Sequence, residues 1–187
     1  MKLILQFLSE ISGRSGDFEQ QILEANPIME AFGNSKTIRN DNSSRFGKWI
    51  EIYFDDAFKI CHLKLTSYML EAIRVTKIAA DERNYHIFYQ LISSSYASSF
   101  ELDSNPRSYR YLNQSKEFRI SGRSDEEDFR DTCRALSVLN FSGEEQQRIF
   151  EIVALILHLG NIEFKATCSD SCEILDAKRD LMCAARI

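Results

Sequence analysis

Residues 34–48 read Asn-Ser-Lys-Thr-Ile-Arg-Asn-Asp-Asn-Ser-Ser-Arg-Phe-Gly-Lys, a mostly polar stretch that leads into an apolar run beginning at Trp49. Ser43, Ser44 and Arg45 stand consecutively, with Asn40 and Asn42 before them and Gly47-Lys48 after. Taken alone the stretch reads as a solvated loop, because Asn and Ser are ordinary turn formers. Its hydroxyl, amide and guanidinium groups are nevertheless packed more densely than a plain connection requires.

Upstream, Asp17 reads as a helix N-cap with Gln20 at the third helical position, a capping-box arrangement. Phe18, Ile22 and Met29 fall near one face of that helix, Pro27 is expected to kink it, and Gly33 to end it. Residues 2–12 show an earlier helical period that stops near Gly13, with no N-cap before it. Downstream, Ile50, Ile52 and Phe54 alternate with Trp49, Glu51 and Tyr53, which predicts a strand with both faces largely covered. Residues 55–57 supply a turn and residues 58–65 alternate again, so the pair is expected to be an antiparallel hairpin.

A second helix is expected from Asp81 through Tyr85, Phe88, Tyr89 and Ile92, followed by irregular surface chain over residues 94–115 with a turn at Asn105-Pro106. Asp125 is expected to cap a third helix whose acidic first turn faces the positive end of the helix dipole and whose buried stripe is Phe129, Cys133, Leu136 and Leu139. Ser142 and Glu145 form another capping box. The helix after them is apolar almost all round from Ile149 to Leu159, which predicts central burial, with Gly160 as its end. Ile162 to Phe164 read as a short strand and the remainder as one more helix. The fold class is therefore α/β and helix-rich. Two strands cannot form an independent sheet, so the hairpin is expected to belong to a larger central sheet.

Composition narrows the function. The chain has 187 residues, 44% of them hydrophobic, with only 2 Pro and 7 Gly, which suits a packed domain or part of one rather than a disordered segment. A net charge of −5 lacks the basic footprint of a nucleic-acid binder. The apolar run at residues 152–157 is far too short to span a bilayer, and the first residues lack a signal-peptide cleavage site. Five cysteines at irregular spacing fit reduced thiols of a cytoplasmic protein better than a disulfide framework. Cys168 and Cys172 could share a helix face, but with His158 they make a poor zinc pattern.

Residues 40–48, Asn-Asp-Asn-Ser-Ser-Arg-Phe-Gly-Lys, resemble the switch I element of the myosin motor domain, a P-loop NTPase fold. Four further segments resemble the same family in the same order: residues 22–37, residues 82–91 (Glu-Arg-Asn-Tyr-His-Ile-Phe-Tyr-Gln-Leu), residues 111–115 and residues 152–164. The resemblance implies that residues 1–187 are part of a cytoskeletal, actin-based and ATP-dependent motor. It implies that Ser44 ligates magnesium, that Ser43 sits near the γ-phosphate of ATP, and that Asn40 hydrogen-bonds the phosphates. Arg45 would pair with a glutamate of switch II. Residues 165–171 fall where the family has a surface loop that can touch actin filaments.

The same resemblance exposes what this sequence lacks. Phosphoryl transfer of this class uses a Gly-x-x-x-x-Gly-Lys-Ser/Thr loop, whereas the only Gly-Lys here, Gly47-Lys48, is followed by Trp49. None of the seven glycines has Asp three residues before it, as the Asp-x-x-Gly of switch II requires. We expect an internal piece of the motor that does not hydrolyse ATP alone. The alternative is a non-catalytic product that associates with actin or with motor partners. Among single residues, His86 and His158 read as satisfied core histidines, His62 lacks an Asp or Ser partner, and the acids at 125–128 as an ordinary helix first turn.

Overall fold

A computed structural model describes residues 7–8, 17–168, 170–175 and 178–186. Of the expected first helix only residues 7–8 are described, both helical, and the side chains of the Asp17–Gln20 capping box lie outside those described. The first complete helix, α1, is Asp17–Gly33, and it runs on through Pro27. Gly33 ends it as expected, and the ring of Phe46 packs where a Cβ on Gly33 would sit.

The polar stretch folds back on itself. Strand β1 (Asn34–Ser35) pairs antiparallel with β2 (Ser43–Ser44), with Asn34 opposite Ser44 and Ser35 opposite Ser43. Strands β3 (Gly47–Phe54) and β4 (Ile60–Tyr68) form the expected hairpin. At its turn the Asp55 carboxylate accepts the Ala57 and Lys59 N–H groups, and Phe58 takes a φ of 59°. The expectation of covered faces is corrected: Trp49 is 62% exposed, and Tyr53, Phe54 and Tyr68 are also exposed. The described helices pack mainly on one another, while β3 and β4 pack mainly on each other.

Helix α2 (His86–Ile92) begins five residues later than Asp81, and all of its residues are buried. Tertiary bonding overrides the helical period there. The Arg83 N–H donates to Lys36 O at 2.9 Å, Tyr85 bridges to Ser35, and the Asn84 side chain accepts the Tyr85 N–H at 2.8 Å while donating to Val75 O and Tyr111 O. Residues 94–115 are irregular and exposed in large part, as expected, but not throughout. They hold 3-10 turns at Ser95–Phe100 and Pro106–Ser108 and place Phe100, Tyr109 and Leu112 in the core.

Helix α3 (Asp125–Val138) is capped by Ser124, whose hydroxyl accepts the Glu127 N–H, and not by Asp125. Helix α4 (Gly143–Asn161) has the expected Ser142–Glu145 capping box. It is not buried all round, since Ile152 is 58% exposed and Leu159 also faces outward. Gly160 lies inside its last turn, where a Cβ would come within 2.7 Å of the Tyr111 ring. The C-terminal part is a second hairpin, β5 (Glu163–Cys168) with β6 (Ser171–Leu175), followed by α5 (Lys178–Arg186). Phe164, Ala166 and Cys168 alternate with charged and polar neighbours, a strand period that the single-helix reading passed over. Cys168 and Cys172 therefore lie on strands rather than one helix face, and residues 165–168 belong to the exposed strand β5.

Helices α1 and α2 pack on α3, α4 packs on α2, and α5 packs on α4. Phe129 and Phe150 meet at 4.8 Å between ring centroids, and Tyr96 lies edge-on to both. This core is the platform on which the polar stretch stands.

Candidate functional site

The loop between β1 and β2 closes through a tight turn. Thr37 N–H donates to Asn40 O at 2.8 Å, the Thr37 hydroxyl donates to the same oxygen at 3.1 Å, and Asn40 N–H donates back to Thr37 Oγ1 at 3.2 Å. Asn40 Oδ1 accepts the Asn42 N–H at 2.9 Å, which leaves its amide nitrogen exposed. Lys36 reaches Asp41 at 3.5 Å and Glu117 at 3.6 Å, so one cation spans the loop and its support.

Asn42 is the centre of the loop's base. Its Nδ2 donates to Glu30 Oε2 on α1 at 2.9 Å, and its Oδ1 accepts from Asn34 Nδ2 at 3.0 Å. His86 Nε2, at the start of α2, lies 3.1 Å from the same Oδ1. Burial, with Arg83 and Arg123 adding like charge, pushes the His86 imidazole down to about 3, so it is neutral at physiological pH. His86 is a core histidine, as expected, and it is also joined to the loop.

The chain leaves the loop through Arg45. Its N–H donates to Gly33 O at 2.8 Å, and its carbonyl accepts from Glu71 N–H at 2.9 Å. Its guanidinium donates to Ser43 Oγ at 3.2 Å and forms a 2.7 Å ion pair with Glu71. Glu71 is therefore the acidic partner of Arg45 among the described residues. The same Glu71 oxygen takes Arg74 at 2.8 Å, and Arg74 reaches Glu82 at 2.9 Å. Burial would raise the Glu71 carboxyl, but the two arginine hydrogen bonds outweigh it and hold the group below the ordinary glutamate range. Tyr85 OH donates to Glu71 O at 2.8 Å and ties this network to the core.

The four residues singled out in sequence thus stand within one short loop, with Asn40 and Ser44 exposed and Ser43 and Arg45 half-buried. Ser44 Oγ and Asn40 Nδ2 make no hydrogen bond to protein among the described residues, whereas Ser43 is already held by Arg45. Two hydroxyls and an amide beside a guanidinium suit a magnesium-bound polyphosphate, because magnesium takes oxygen ligands and a guanidinium suits phosphate. Sequence reasoning did not single out Asn42, His86 or Glu71 as part of the site. The i,i+3 spacing of Glu71 and Arg74 was a readable signal. The convergence of Glu30, Asn34 and His86 on Asn42 spans 12, 8 and 44 residues and had none.

Comparisons with known proteins agree with the architecture. The family profile described as Myosin head (motor domain) matches residues 1–187. Myosin-15 of Arabidopsis thaliana is 50% identical over 170 residues, covering 88% of this chain and 11% of that protein. Myosin-17 of the same plant is 45% identical over 184 residues, covering 95% of this chain and 12% of the relative. Protein OPAQUE1 of Zea mays is 45% identical over 181 residues, with 94% and 12% covered. The chain spans about an eighth or less of the length of these relatives. No helix among the described residues is long and apolar enough to cross a membrane. The chain, with its helical core and small antiparallel sheets, belongs to the myosin head (motor domain) family.

Proposed function

We propose that residues 34–48 are the switch I loop of an actin-based, ATP-dependent cytoskeletal motor of P-loop NTPase fold, of which residues 1–187 are part. The observation that carries this reading is the division of labour within the loop. Its base is occupied by internal hydrogen bonds and Ser43 is held by Arg45, while Ser44 Oγ and Asn40 Nδ2 have no hydrogen-bond partner among the described residues. A loop that only connected two strands would have no need of such a frame.

In this reading Ser44 offers a hydroxyl oxygen to magnesium, Asn40 donates to phosphate oxygens, and Ser43 lies on the γ-phosphate side, oriented by Arg45. Bound Mg·ATP supplies the transferable phosphoryl group and its charge; the residues here bind, orient and exclude water. The phosphate loop and switch II come from elsewhere in such a motor, so this chain by itself holds one wall of the site. Actin is the partner of the whole motor, with the exposed β5–β6 hairpin as one surface that faces outward for contact.

The experiment is a transplant. Residues 34–48 are grafted into the motor domain of a plant relative, and actin-activated Mg-ATPase turnover is measured. The graft is expected to retain activity, and Ser44→Ala within it to lose about a hundredfold or more, in the range of one transition-state contact. Full activity in the Ser44→Ala graft overturns the reading. So does actin-stimulated turnover by this chain alone.

A further inference from the structure

We propose that Asn42 and His86 are positioning residues: a neutral His86, carrying its proton on Nε2, clamps the Asn42 amide and so sets where Ser43 and Ser44 stand. The functional meaning of the clamp rests on the nucleotide reading above, but its geometry does not.

The proton positions follow from one fixed partner. A carboxylate oxygen only accepts, so the Asn42 group 2.9 Å from Glu30 Oε2 is its NH2. The other end of the amide is then Oδ1, an acceptor. His86 Nε2 lies 3.1 Å from that oxygen and must therefore donate. The opposite tautomer would set a ring lone pair against the Asn42 oxygen and bury an N–H on Nδ1, an atom with no hydrogen-bond partner among the described residues. Asn34 donates to the same oxygen at 3.0 Å, and its own buried Oδ1 has no hydrogen-bond partner among the described residues. One carboxylate on α1 thus dictates the orientation of two amides and the tautomer of a histidine.

The clamp acts on the loop because Asn42 directly precedes Ser43 and Ser44, the strand paired with Asn34 and Ser35. Its three partners sit on α1, β1 and α2, whose positions are set by the core. His86 is 1% exposed, so its ring cannot swing to solvent. Ser43 and Ser44 are therefore presented from a frame assembled before any ligand arrives. That lowers the ordering cost of binding at the loop, the ordinary benefit of preorganisation.

The test uses the full 187-residue chain. A long-range proton–nitrogen spectrum of its histidine rings reads the tautomer directly. The proton of His86 is expected on Nε2 and unchanged from about pH 5 to 8. A proton on Nδ1 overturns the proposal, even if every variant fails to fold. Amide hydrogen exchange then reads the clamp. His86→Leu is expected to speed exchange at the Asn42 and Arg45 amides about three- to tenfold relative to the α4 amides of Phe150 and Leu157. His86→Gln, which keeps a side-chain donor, is expected to return most of that protection. Unchanged loop exchange in His86→Leu overturns the proposal, as does His86→Gln exchanging as fast as His86→Leu. In an Asn42→Ala background, where the acceptor is gone, His86→Leu is expected to add nothing further; strict additivity also overturns it. None of these measurements involves nucleotide, so a failed clamp and a failed nucleotide reading are told apart.

Discussion

Glu71→Gln tests the network that holds Arg45. The substitution keeps an amide oxygen within reach of Arg45 and Arg74 but removes the charge that both guanidinium groups share at 2.7 and 2.8 Å. Charge-assisted hydrogen bonds are roughly twice as strong as neutral ones, so each contact is expected to lose about 1–1.5 kcal/mol. Two features reduce the total. Arg74, only 6% exposed, keeps its second carboxylate at Glu82, and the Arg45–Glu71 pair is about 30% exposed and partly screened. We expect a net loss of about 1.5–2.5 kcal/mol, which for a chain of this size corresponds to about 3–10 °C in Tm. Thermal unfolding followed by circular dichroism measures it. The pH dependence adds a second constraint. Glu71 has its folded pKa held below the unfolded value, so its contribution is fully present above the ordinary glutamate range, about 4.3, and is lost as pH falls through the lower folded value. The gap between wild type and Glu71→Gln should therefore close in acid, where the wild-type carboxyl is protonated as well. A Tm shift under about 1 °C at neutral pH, or a gap that persists unchanged in acid, would refute the reasoning.

Two further substitutions probe the platform. Phe150→Ala empties a fully buried site against Phe129 and Tyr96 and is expected to cost about 3–5 kcal/mol, measured as a lowered urea midpoint at constant m-value. Gly160→Ala should raise helix propensity by up to about 1 kcal/mol, yet a Cβ there comes within 2.7 Å of the Tyr111 ring; we expect a net loss of about 1–3 kcal/mol. In a Tyr111→Ala background the same change should become neutral or stabilising, and a loss of equal size in both backgrounds would exclude the ring as the cause.

The sequence made local features legible and hid those that depend on distant chain. The Ser142–Glu145 capping box and the β3–β4 hairpin follow from residues a few positions apart, and both are present. The loop of Asn40, Ser43, Ser44 and Arg45 was legible as a cluster, and its resemblance carried the family. The start of α2 was misplaced because residues 83–85 bond to Lys36, Ser35 and Tyr111 rather than to their own helix. Polar composition over residues 94–115 concealed Phe100, Tyr109 and Leu112, since an irregular path buries side chains without a period to announce them. Apolar character all round α4 overstated its burial, because amount of hydrophobicity does not say how many neighbours arrive. The clamp at Asn42 was hidden for the same reason, being made by four separate elements.

The distribution of the core along the chain has a consequence for how the molecule gains and loses order. Among the described residues, every fully buried member of the main apolar cluster except Ala31 lies between Tyr85 and Leu157. That contiguous stretch can collapse with short loop closures, whereas β3 and β4 contribute their pairing to each other and little to the cluster. The hairpin is therefore expected to open at a lower free energy than the helical platform, which faster amide exchange in β3 and β4 than in α4 would show. The polar loop lies on the seam between them: its entry, at Gly33, belongs to one unit and its exit, at Gly47, to the other. The two ends of the loop are thus anchored on different neighbours, Gly33 at the end of α1 and Gly47 at the start of β3.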